Sequence, residues 1–212
     1  MKDLYIVGAG GFGRELLNHI QDIHKISGVR WNLKGFLDDT PDPLHDKECP
    51  LAVAGSIIDY YPKENDALAL AIADPRAKKK VVSLLKGRGA VFENVIHPYV
   101  NLGRYNKFGE GLIVYPGCGM TVNATVGSFC TLLSCGIGHD VEIGDFCTIS
   151  SLCNIMGGVK IGEGVFIGGN AAIAPHVTIG DGAYLCLGSM VLKDVPAGAK
   201  VLGNPAREIG LA

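Results

Sequence analysis

Long apolar runs are scarce at the start of the chain. Residues 4–7 form the only apolar stretch there, too brief for a signal-peptide core or a membrane span, so a cytoplasmic protein is expected. An excess of one charge is also missing. Nineteen basic and 21 acidic side chains leave a formal charge of −2, which supplies no broad positive field for nucleic acid or an anionic membrane. Seven cysteines, an odd number without a CxxC pair, exclude a disulfide framework and a zinc ribbon, and no metal is expected. There is no collagen-like triplet, although 30 of the 212 residues are glycine. Glycine is therefore being used by some other regular pattern.

That pattern is a hexad. Apolar residues fall six apart at Ile96, Leu102, Phe108, Val114, Met120, Val126 and Leu132, and then, after one five-residue step, from Ile137 through Ile143, Ile149, Ile155, Ile161, Ile167, Ile173, Ile179 and Leu185 to Val191. The second position is glycine in eight hexads, Gly103, Gly109, Gly127, Gly138, Gly144, Gly162, Gly168 and Gly180. Short straight segments alternating with turns, where one repeat cannot bury its own apolar face, are the pattern of a parallel β-helix. Glycine is expected to relieve the turns. Cys118, Cys130, Cys147 and Cys153 share the fifth position and read as packing residues.

Residues 1–92 are different. A strand at 4–7 leads into Gly8-Ala9-Gly10-Gly11-Phe12-Gly13 and a helical run over 14–26. Strand, glycine loop and helix N-terminus together favour a pyrophosphate. A second strand at 33–37 ends in Asp38-Asp39 and a third at 67–72 ends at Ala73, placing candidate nucleotide contacts at strand ends. NAD would use the same residues, but a dehydrogenase needs a second catalytic domain and a β-helix follows instead.

The [Ile/Leu/Val]-Gly-x-x-small-x motif resembles the hexapeptide-repeat acyltransferases. The whole chain is similar to the sugar acyltransferases that include sialic acid O-acetyltransferases and N-acetyltransferases of nucleotide-linked 4-amino sugars. Gly8 to Gly13, Phe36-Leu37-Asp38-Asp39, Ile96-His97-Pro98, Gly138-His139-Asp140 and Gly203-Asn204-Pro205-Ala206-Arg207 carry the resemblance. It implies an α/β, Rossmann-like domain over 1–92, binding a nucleotide-linked sugar through Gly10, Gly11, Phe12, Asp38, Asp39 and Ala73. An all-β left-handed parallel β-helix over 93–212 follows. The handedness comes from the resemblance, since parallel crossovers otherwise favour the opposite hand. It also implies a homotrimer with acetyl-CoA as co-substrate in a groove between subunits, beside Thr148, Gly169 and Leu187, with Lys193 or Arg207 meeting a cofactor phosphate.

Acyl transfer from a thioester requires a base, and histidine suits that role near neutral pH. His97 and His176 read as structural or solvated. They lie 42 residues before and 37 after His139, not multiples of an eighteen-residue coil. His139 occupies the third hexad position, outside the prism. Asp140 follows it, and the shortened hexad precedes it. One coil further on, Gly157 and Gly158 leave room above the imidazole, where the acyl thioester of the cofactor is expected to lie. The expected function is N-acetylation of a nucleotide-linked 4-amino-4,6-dideoxy sugar, with His139 as general base and Asp140 orienting it. O-acetylation of a sialic acid, or a non-catalytic sugar-binding trimer, are the alternatives.

Overall fold

The computed structural model describes residues 1–212, in two compact units that divide between Pro98 and Tyr99. In the first unit, β1 (Lys2–Val7), α1 (Gly11–Ser27), β2 (Trp31–Leu37), β3 (Val53–Gly55), β4 (Asp66–Leu70) and α2 (Pro75–Lys86) follow one another. The strands form a parallel sheet in the order β3-β2-β1-β4. Helix α1 starts earlier than the sequence suggests because the glycine loop itself supplies its first turn, Arg14 N donating to Gly10 O at 3.1 Å. Its Leu16, Leu17, Ile20 and Ile23 are buried, the i, i+4, i+7 spacing of an amphipathic helix. Asp74 caps α2 by accepting from Ala77 N at 2.7 Å, with Pro75 at the first helical position.

The unit extends past residue 92 because the next residues still bond to the sheet. Phe92 bridges to Leu68, and Glu93 N donates to Leu68 O at 2.9 Å. The Glu93 carboxylate accepts from Lys2 Nζ at 2.7 Å and Trp31 Nε1 at 3.2 Å. No helix of the chain is long and apolar enough to cross a membrane.

The second unit is a parallel β-solenoid of the left-handed β-helix type, built from two-residue strands. Its first face stacks Leu102, Met120, Ile137, Ile155, Ile173 and Val191. The second stacks Phe108, Val126, Ile143, Ile161 and Ile179. The third stacks Val114, Leu132, Ile149, Ile167, Leu185 and Val201. From Met120 through Val191 these side chains are buried, as are Cys118, Cys130, Cys147 and Cys153.

The five-residue hexad is a turn shortened by one residue at Ser134, whose hydroxyl donates to Pro116 O at 2.7 Å. The second-position glycines do a different job from the one expected. They keep ordinary negative φ and serve close packing between coils: a Cβ on Gly144 would lie 2.7 Å from the Gly162 carbonyl carbon in the next coil. The hexad spacing ends after Val191, although Val195 still bridges Ile179 and Val201 pairs with Leu185. The chain finishes as an antiparallel hairpin of Ala199–Gly203 with Ala206–Leu211.

Candidate active site

His139 and Asp140 sit in the turn between the first and second faces of the solenoid. Asp140 N donates to Val122 O one coil below at 3.1 Å, and Gly158 N to His139 O one coil above at 2.8 Å. The fourth residue of this turn has positive φ in five successive coils, at Tyr105, Asn123, Asp140, Gly158 and His176. Asn and Asp tolerate that conformation better than other non-glycine residues, so the turn itself accounts for part of the choice of aspartate.

The side-chain geometry supplies the rest. Asp140 Oδ2 lies 2.8 Å from His139 Nδ1, with about 60% of each side chain exposed (61% and 60%). An ionised carboxylate there holds the proton on Nδ1 and leaves Nε2 with a free lone pair. The ring lies against Gly157: a Cβ on that glycine would stand 2.5 Å from both Cε1 and Nε2. Gly157→Val is therefore expected to push the imidazole out of place and lower kcat/KM by about ten- to a hundredfold. Measuring thiol release from the acyl donor checks this, and an unchanged rate would show that the ring position is immaterial.

His176 was not legible as a site residue. Its interval from His139, 37 residues, is two coils plus one. In this turn, third and fourth positions border the same step of backbone. A Cβ on Gly158 would collide with the His176 ring, so the two imidazoles flank the Gly157–Gly158 pair from below and above. The signal available was that residue 176 lies eighteen after Gly158.

In the α/β unit, the four glycines of the loop separate into two kinds. Gly8 has φ +103° and a Cβ there would come 2.7 Å from Ala71 O, while one on Gly13 would strike Gly8 O. The fold requires both. Gly10 has nothing within 4 Å and Gly11 only the Arg14 side chain at 3.9 Å, so their missing side chains leave the start of α1 open. That helix start has no side-chain cap and no acidic residue in its first turn, which suits an anion. Gly8 N bonds Leu37 O and Ala71 N bonds Val7 O, both at 2.8 Å, bringing the ends of β1, β2 and β4 to one edge. Half-buried Phe12 and Ala73 belong to that edge.

The two aspartates are already engaged. Asp38 accepts from Ala9 N at 2.6 Å and Thr40 N at 2.8 Å, and Asp39 accepts from Ser56 Oγ at 2.6 Å and Ile58 N at 3.1 Å. Burial pushes the Asp38 carboxyl up, but the Ala9 and Thr40 hydrogen bonds outweigh it and hold the pKa below its ordinary value. A depressed pKa contributes stability that is present above the unfolded value and lost as pH falls through the folded one. Asp38→Ala is expected to cost about 1.5–3 kcal/mol at neutral pH, the range for hydrogen bonds to a charged group, and less in acid. Urea melts at two pH values check both parts.

The residues expected beside the cofactor do not gather at one place in a single chain. Gly157, Gly158 and Lys193 share the corner of His139. Gly169 and Leu187 lie on the preceding corner, where a Gly169 Cβ would touch Leu187 Cδ1 at 3.4 Å and Leu187 is 72% exposed. Thr148 is buried, 1% exposed, in its third-face strand. Lys193 and Arg207 do come together. They line one cavity of about 380 Å³ with Val191, Pro196 and Pro205 at the end of the solenoid.

An α/β unit with an open glycine loop, followed by a hexad solenoid carrying an exposed histidine–aspartate pair, is the organisation that the comparisons with known proteins also find. Residues 3–85 match the PglD N-terminal domain and residues 158–193 the bacterial transferase hexapeptide (six repeats). In both units the chain is similar to the hexapeptide-repeat sugar acyltransferases. WeeI from Acinetobacter baumannii AYE superposes with a TM-score of 0.86 at 28% identity, over 99% of this chain and 100% of that one. PerB from Caulobacter crescentus, in complex with CoA and GDP-perosamine, gives 0.88 at 24%, over 99% and 98%. Serine acetyltransferase 2 of Arabidopsis thaliana is 30% identical over 193 residues, 86% of this chain and 51% of its own length. The chain thus spans about half the length of that curated relative.

Proposed function

We propose that the protein transfers an acetyl group from acetyl-CoA to the 4-amino group of a nucleotide-linked 4-amino-4,6-dideoxy sugar, in the cytoplasm and as a homotrimer. The observation that carries the reading is the Asp140–His139 pair, held with Nε2 beside Gly157. The uncrowded backbone at Gly10 and Gly11, at the start of α1, supports a pyrophosphate-bearing acceptor. Three structures of the similar GDP-perosamine N-acetyltransferase from Caulobacter crescentus with CoA and GDP-perosamine, two of them with one histidine replaced by Asn or Ala, support it.

In the reaction, His139 Nε2 takes a proton as the sugar amine attacks the thioester carbonyl. The new C–N bond forms, the C–S bond breaks, and the departing CoA sulfur receives a proton. Asp140 stabilises the imidazolium formed in between. Gly157 contributes space, and the Lys193–Arg207 cavity offers cations to the cofactor phosphates. A trimer gives the two separated corners a way to work together, with Gly169 and Leu187 of one subunit facing the His139 corner of another.

Acetyl-CoA, a thiol reagent and a panel of nucleotide-linked amino sugars test the proposal. Acceptor-dependent thiol release is expected, with an amide in the product by NMR and a trimer by equilibrium sedimentation. An ester product would point to O-acetylation. Thiol release with no acceptor tested, or an active monomer, would overturn the corresponding part of the reading.

A further inference from the structure

Away from the solenoid, three potential metal ligands converge in the α/β unit. His19 and Asp22 stand three residues apart on α1, so their side chains emerge from one face of the helix. His97 belongs to the segment after Phe92 that remains bonded to this unit. One ligand atom from each of the three lies within 4.8 Å of the others. The His19 and His97 rings meet edge to face at 78°, their centroids 5.7 Å apart. His97 is 3% exposed, while His19 and Asp22 are half-buried, which leaves an approach from the helix side.

We propose that His19, Asp22 and His97 bind one divalent first-row transition ion, with Zn²⁺ the expected occupant, tying α1 to the end of the α/β unit. Two imidazoles and one carboxylate form a three-ligand set that suits such an ion and leaves a position for water. Ligand bonds of about 2.0–2.2 Å in a tetrahedral shell put neighbouring donors roughly 3.3–3.6 Å apart, so closing the shell requires the donor atoms to draw together by about an ångström through side-chain rotation. Burial lowers the pKa of both His19 and His97, favouring the neutral imidazole that a metal needs. The competing partner of Asp22 is Lys25, an exposed ion pair at 3.2 Å, a kind of contact that is weak in water. The acetyl transfer proposed above does not involve this site.

The test uses the full chain stripped with EDTA and titrated with Zn²⁺ by calorimetry and with Co²⁺ by visible absorption. One ion per chain is expected, and at about a hundredfold excess over Kd the Tm should rise by about 5–10 °C. Asp22→Asn and His19→Gln alter ligands at half-buried positions. Each should weaken binding at least about tenfold, and the double variant should abolish uptake while its metal-free Tm stays near that of the stripped wild type. His45→Ala is the control, because His45 with Asp42 and Asp46 is an exposed cluster that attracts ions nonspecifically. The proposal is overturned by no uptake in the wild type, by equal uptake in the double variant, or by loss of uptake in His45→Ala.

Discussion

His139→Ala is expected to lower turnover by about 10²- to 10⁴-fold, the usual contribution of general base catalysis, with CoA affinity nearly unchanged. The ring is exposed and touches Gly157 only through a gap that alanine leaves open, so the melting temperature should hardly move. Asp140→Asn should cost less. An asparagine carbonyl can still accept from Nδ1 and keep Nε2 aimed outward, but it no longer stabilises the imidazolium. It also suits the positive φ of 58° at this position, so the turn survives the change. Wild-type turnover in His139→Ala across a range of pH would remove the base assignment, and His176, above the same glycine step, would be the next residue to replace.

The solenoid was legible because its repeat is set by burial. The column through Ile143, Ile161 and Ile179 depends only on an apolar residue returning every three hexads, and that information is local in the chain. The shortened turn was visible for the same reason, since removal of one residue shifts the phase of everything after it. The Gly10–Gly11 opening was legible as a motif, but the split between structural and open glycines was not. It depends on how closely Gly8 approaches Ala71, a residue more than sixty positions away. The commitments of Asp38 to Ala9 and of Asp39 to Ser56 were hidden likewise, because sequence shows a carboxylate at a strand end and not what it accepts. The residues expected beside the cofactor lie on two corners, one solenoid strand and the terminal hairpin because they were carried over by resemblance, which fixes a residue's place in the repeat and not which coils come together.

Ile161→Asp is expected to destabilise the solenoid by more than about 3 kcal/mol, and to unfold it outright if the margin is small. Ile161 is 4% exposed and stacks between Ile143 and Ile179. A carboxylate placed there has no partner to offset its desolvation, which costs several kcal/mol even when partial protonation relieves it. In a stacked array each coil is stabilised by its neighbours, so the damage extends to both adjacent interfaces. Ile161→Val, which removes one methylene, should cost only about 0.5–1.5 kcal/mol. The neighbouring residue supplies the contrast: the Lys160 side chain is 62% exposed and pairs with Glu142 at 3.2 Å across the outer surface. Lys160→Asp loses that surface pair and sets two acids side by side, yet should cost no more than about 1 kcal/mol. Consecutive residues on opposite sides of one strand would then differ severalfold in thermal or urea melts for the same new side chain. Equal effects at 160 and 161, or stability of Ile161→Asp within about 0.5 kcal/mol of wild type, would contradict an inward-facing Ile161 and with it the register of the second face.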